Sequence, residues 1–179
     1  MDAARKRATL TTIGVLVGFC GLPILLVWAV LRYGVQSVEF ITEGREAQLC
    51  QSRLAKVAAG LNLYAADNDD TYPPGVRWVD ASWSYAAKED PAVESESVFR
   101  CPAVSKLRTG DYGYALNSDL AGKRRDRILD PKTAPLAFDT SLTNRNASAS
   151  LDTAPMPPRH RGGRSNYAAT VDGRAVVLP

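Results

Sequence analysis

Histidine and cysteine are scarce in this chain. Among 179 residues there is one histidine, His160, and there are three cysteines, Cys20, Cys50 and Cys101. A lone histidine rules out every zinc motif that takes two histidines from one short segment, and the cysteines are too few for a disulfide-dense scaffold. No glycine-rich phosphate loop, nucleophile elbow or pair of catalytic carboxylates is present. Nothing in the sequence surrounds His160 with the partners of a Ser-His-Asp or Cys-His hydrolase, so no catalytic residue and no metal ligand set is predicted. Basic charge is scarce where it would matter for nucleic acid. The formal net charge is +3, but Arg5, Lys6 and Arg7 cluster at the N-terminus, and the rest of the chain is close to neutral. A nucleic-acid reader shows a basic face or stripe, which this chain lacks.

Charge is absent altogether from residues 10–31, LTTIGVLVGFCGLPILLVWAVL. About 20 apolar residues suffice to cross a bilayer as a helix. The run is too long for a signal-peptide core, and no small-residue cleavage site follows it. It is therefore expected to be an uncleaved anchor. Arg5, Lys6 and Arg7 precede it, and Glu39, Glu43 and Glu46 dilute the basic residues behind it. This bias holds the N-terminus in the cytoplasm and exports the rest. Trp28 and Tyr33 suit the outer interface. Gly14, Gly18 and Gly21 share one helical face that could pack against another membrane helix, although glycine is common in such helices in any case.

Past the anchor, Cys50, Leu54, Val57, Leu61 and Tyr64 recur at helical spacing, with Gln51, Arg53, Lys56 and Asn62 opposite. That pattern predicts an amphipathic helix over 32–66. Pro73, Pro74 and Gly75 end it. A short helix is expected over 81–88 with Asp80 as its N-cap, and a short extended element over 98–102. Strands are expected at 112–117 and 134–139, and a loop over 141–158. Two β-prone runs flanking Asp172-Gly173 predict a terminal hairpin with a type I′ turn. The fold class is α+β. The organisation is a basic N-terminus (1–9), a transmembrane helix (10–31), an extended helix (32–66) and an exported domain (67–179) that packs with 45–66. Cys50 and Cys101 both fall in the exported part, where a disulfide is permitted; two buried free thiols are the alternative.

Asp67, Asp69 and Asp70 form a carboxylate-rich loop that begins like a calcium-binding loop. Tyr72 and Trp78 occupy the places where its glycine and glutamate would stand, so helix capping and solvation explain it as well. Arg159, Arg161 and Arg164 flank His160 and would favour its neutral form by charge repulsion. Residues 123–127, KRRDR, read as a solvated basic loop.

Several blocks occur together. They are CQSRLAK at 50–56, YAADNDDTYPP at 64–74, VFRCP at 98–102, YGYALN at 112–117, AFDT at 137–140 and RHRGGRSN at 159–166 leading into Asp172-Gly173. In this order they resemble prepilin-like proteins with a C-terminal His…Asp-Gly domain, relatives of type II secretion pseudopilins and type IV pilins. The resemblance implies a pilin-like fold, with a long N-terminal helix on a small antiparallel sheet. It also implies His160, Asn166, Asp172 and Gly173 as motif residues, supports pairing Cys50 with Cys101, and suggests a non-enzymatic role in assembly at a bacterial cell envelope. Two features depart from that pattern. Residues 161–171 make a longer spacer than the family's, and the apolar run lacks the glutamate that follows a prepilin cleavage site. An exported domain binding calcium or an envelope polymer is the alternative role.

Overall fold

A computed structural model describes the backbone of residues 2–89, 96–105 and 110–178. Side chains are described from residue 25 onward within these ranges, apart from 35–37, 39, 40, 88, 89 and 105. The chain divides into two compact units, Met1–Thr42 and Glu43–Pro179.

The first unit is the N-terminal part of helix α1, Asp2–Asp67. Within it Leu25, Leu26, Val27, Trp28, Val30 and Leu31 are exposed, and the Arg32 guanidinium lies 5.5 Å from the Trp28 ring centre. Among the described residues no helix is long and apolar enough to cross a membrane. The expected span reaches back to residue 10, and the side chains of 10–24, including Gly14, Gly18 and Gly21, lie outside the described residues.

The second unit is α+β. The rest of α1 buries one face completely: Ala47, Cys50, Leu54, Val57, Ala58, Leu61 and Ala65. Each fully buried leucine or valine there contributes roughly 1.5–3 kcal/mol. Ala65 takes the place expected for Tyr64, whose ring instead meets Tyr85 edge-on at 5.8 Å. Helix α2, Trp78–Glu89, begins earlier than the sequence suggests. Its first-turn amide at Val79 is capped by the side chain of Asn146, far along the chain, and not by Asp80. Asp80 instead pairs with Arg145 at 2.8 Å and accepts a hydrogen bond from Asn146. The two helices meet where Gly60 faces Ala86; a Cβ on Gly60 would stand 2.8 Å from the Ala86 Cβ.

Residues 96–99 form a 3-10 turn, and Pro102–Ser105 a single helical turn, α3. The extended element expected at 98–102 is thus replaced by two turns flanking Cys101. Proline fits the first position of a helix, where its missing N–H is not needed.

The sheet has five strands: β1 Tyr114–Asn117, β2 Pro135–Asp139, β3 Ser148–Ala149, β4 Tyr167–Thr170 and β5 Ala175–Val177. Their order is β3-β1-β2-β4-β5. It is mixed and not antiparallel throughout, because β3 runs parallel to β1, with Leu116 opposite Ser148. This strand lies inside the stretch expected to be loop. Trp78 helps to hold it: the ring is fully buried, and its N–H donates to the Ala147 carbonyl at 2.7 Å. The strands β1, β2 and β4 are buried almost throughout. One face joins the α1 core, and Ala115, Phe138 and Ala168 on the other form a smaller cluster.

The terminal hairpin is present, with Tyr167 opposite Val177, but its turn differs from the expectation. Thr170 N–H bonds to Arg174, Gly173 N–H bonds back to Thr170, and only Gly173 has a positive φ, of 88°. This is a three-residue loop with a left-handed glycine at its end, because a type I′ turn needs positive φ at Asp172 as well.

Candidate metal centre

Four buried side chains converge beneath the sheet end, each delivered by a different element. Cys50 comes from the buried face of α1, Cys101 from the junction between the 3-10 turn and α3, Asp139 from the last residue of β2, and His160 from a turn before β4. One ligand atom from each lies within 4.8 Å of all the others.

Local structure holds each one. Cys101 N–H donates to the Tyr112 carbonyl at 2.6 Å. His160 exchanges two backbone hydrogen bonds with Ser165, at 2.9 and 3.1 Å, across a turn whose Arg161, Gly162 and Gly163 all have positive φ. Two successive glycines make such a run feasible, since a Cβ is disfavoured there. Asn166 pins the turn from below: its carbonyl oxygen accepts the Arg159 N–H at 2.8 Å and its amide donates to Pro155. Arg159 spans the site, donating to the carbonyls of Gly113 at 3.0 Å and Thr140 at 2.5 Å. Gly113 lies so close that a Cβ would come within 2.9 Å of Val104 and 3.1 Å of Cys101.

The His160–Asp139 contact is longer than an ordinary charged hydrogen bond, and the contacts to sulfur have ordinary sulfur hydrogen-bond lengths. His160 Nε2 lies 3.3 Å from Asp139 Oδ2 and 3.6 Å from Cys101 Sγ. Cys50 Sγ lies 3.5 and 3.7 Å from the two Asp139 oxygens. Asp139 Oδ2 also accepts the Tyr167 N–H at 2.8 Å, and Arg159 stands 3.6 Å from Oδ1. The Tyr114 hydroxyl is buried beside Cys50 without a hydrogen bond of good geometry.

The charges are strongly coupled. Burial pushes the Cys50 thiol up, and its hydrogen bond with Cys101 and the Asp139 charge add to this. The same hydrogen bond lowers Cys101 to about 5 against the opposing effect of burial, with His160 helping. Burial alone would lower His160; the hydrogen bonds and charges of Asp139 and Cys101 outweigh it and push the ring up to about 9. The shift is opposite in direction to the one expected from the flanking arginines. Those arginines matter less than one carboxylate at contact distance in a buried site.

The arrangement differs from a nucleophilic triad. There, one ring nitrogen faces the nucleophile and the other the carboxylate. Here Cys101 and Asp139 approach the same nitrogen, and all four residues are closed off from solvent.

The structure brings together some of the residues singled out in the sequence and separates others. Cys50 and Cys101 do meet, but as free thiols and not as the expected disulfide. His160 and Asn166 belong to the same turn. Asp172 does not join them: it bonds to Thr170 and Arg174 beside Gly173 in the terminal turn. In the acidic loop, Asp70 is engaged by Arg125 at 2.6 Å, and within the basic cluster Arg124 pairs with Asp126. Asp139 was missed as a site residue. Its sequence signals are a carboxylate ending the apolar run PLAF and its place in the AFDT block. The prediction of no ligand set rested on local spacing, whereas these four residues come from four separate segments. Neither family models, curated proteins nor solved structures offer a match to this chain.

Proposed function

We propose that this chain is a membrane-anchored, pilin-like structural protein of a cell envelope, working by assembly or protein contact and not by catalysis. The supporting observation is the double use of α1. From Glu43 onward one face of this helix is part of the core, and residues 25–31, toward its N-terminal end, expose a row of large apolar side chains. Burying such a row in lipid or against other helices relieves the cost of leaving it in water. Trp28 beneath the Arg32 guanidinium suits a membrane interface, where an aromatic ring and a snorkelling cation both find their preferred depth. In this reading residues 1–9 stay in the cytoplasm, residues 10–31 span the inner membrane, and the domain from Glu43 lies outside, meeting other envelope subunits or copies of itself.

Alkaline extraction of membranes tests the anchor. The full-length chain should stay with the lipid, and a version starting at Arg45 should be released; release of both would sink the anchor. Native electrophoresis after mild solubilisation tests assembly, and a strictly monomeric species would count against it. A calcium role is not part of the proposal, because Asp70 is already held by Arg125.

A further inference from the structure

We propose that Cys50, Cys101, Asp139 and His160 bind one zinc-class divalent cation in a closed tetrahedral site that ties helix α1 to the sheet. The inference does not depend on the membrane reading above. It rests first on distances. Bond lengths of about 2.0–2.1 Å to nitrogen and oxygen and about 2.3 Å to sulfur give a tetrahedron an N···O edge of about 3.3–3.4 Å and S···N and S···O edges of about 3.5–3.6 Å. The protein places His160 Nε2 and Asp139 Oδ2 3.3 Å apart, Cys101 Sγ and His160 Nε2 3.6 Å apart, and Cys50 Sγ and Asp139 Oδ2 3.7 Å apart. Direct pairing of an imidazolium with a carboxylate would draw the two atoms to about 2.7–2.9 Å. These three edges match those of ligands around a shared centre, and one ligand atom from each of the four residues lies within 4.8 Å of the others.

The second argument is chemical. Two sulfurs and an imidazole select a borderline-soft ion; calcium and magnesium require oxygen ligands. Four protein ligands and full burial leave no open position for water, as in structural zinc sites and unlike catalytic ones.

The third is charge balance. On binding the cation, both thiols would lose their protons and His160 would coordinate as the neutral ring, so two thiolates and a carboxylate would bring three negative charges into a closed space. A divalent cation together with the Arg159 guanidinium matches them. Arg159 and the Tyr167 N–H already contact the Asp139 carboxylate, and the Tyr114 hydroxyl, buried beside Cys50 without a hydrogen bond, is placed where a metal-bound thiolate could accept one. All four ligands come from distant segments, so binding would close long loops and act as folding free energy.

The test uses the full-length chain purified without a metal-affinity tag and without added reductant. Elemental analysis should find one zinc per chain, and mass spectrometry should find Cys50 and Cys101 unbridged. After chelation, cobalt should restore one equivalent and show sulfur-to-metal charge transfer with the visible bands of a tetrahedral ion. Cys50→Ser and Cys101→Ser should reduce zinc to background, and Asp70→Asn should not. The cobalt titration of the unmutated chain decides the matter even if the serine variants fail to fold. A Cys50–Cys101 disulfide, no stoichiometric metal, or a cobalt spectrum without sulfur ligation would each overturn the proposal.

Discussion

The turn at Arg161–Arg164 and the turn at Val171–Gly173 lie a few residues apart and belong to one sequence pattern, yet they live in different physical settings. Both need left-handed glycine. The first presents His160, which is 3% exposed, to three buried partners from three other elements. The second closes a two-strand hairpin; the Asp172 carboxylate bonds to Thr170 and Arg174, and the backbone N–H groups of Val171 and Asp172 donate to Ala134 and Pro131 in the segment before β2. The first turn therefore places a side chain among buried groups from three distant elements, whereas the second is tied to a distant segment through its backbone and keeps its side-chain bonds local. Proximity in a motif does not make a shared site. What separates the two is the number of distant groups that lose water and partners together when the turn is altered.

Substitutions at the two turns should differ accordingly. His160→Ala leaves the buried Asp139 and Cys101 without their partner, and should destabilise the domain by about 3–5 kcal/mol in urea unfolding, with loss of bound metal. Asp172→Ala should leave metal content and melting temperature unchanged within error. Equal effects at both positions would break the comparison. Gly113→Ala sharpens it from the other side of the cluster. With φ at 79° and Val104, Arg159 and Cys101 about 3 Å from the new Cβ, it should cost about 2–4 kcal/mol by the same measurement. Asn166→Ala removes the acceptor for the Arg159 N–H and should cost about 1–3 kcal/mol, together with weaker zinc retention in a chelator competition. Gly173→Ala has open space and only its backbone conformation to pay for, so a melting shift corresponding to about 1–2 kcal/mol is expected, with zinc retained.

Much of the scaffold was legible in the sequence. The buried face of α1 was visible as Cys50, Leu54, Val57 and Leu61, because a helix repeats every 3.6 residues and one side must lose water. The strands β1 and β2 and the terminal hairpin were legible for similar local reasons. Strand β3 was not: two residues, Ser148 and Ala149, carry no periodicity, and their pairing is parallel and depends on the Trp78 bond to Ala147. The cap on α2 was assigned to Asp80 because caps are usually local, whereas Asn146 supplies it from a distant loop. At the candidate site, Cys50 and Cys101 were seen as partners, but Asp139 was not, because a carboxylate's burial depends on what the fold packs over it.

The sequence by itself determined the elements whose physics is local: where a helix must bury a face, and where a glycine lets a strand reverse. Only the tertiary structure decided what His160 faces and in which direction its titration shifts. Those depend on Cys101 and Asp139, tens of residues away in sequence and within 4 Å in space. At such distances in a buried site, electrostatic coupling outweighs the influence of neighbours along the chain.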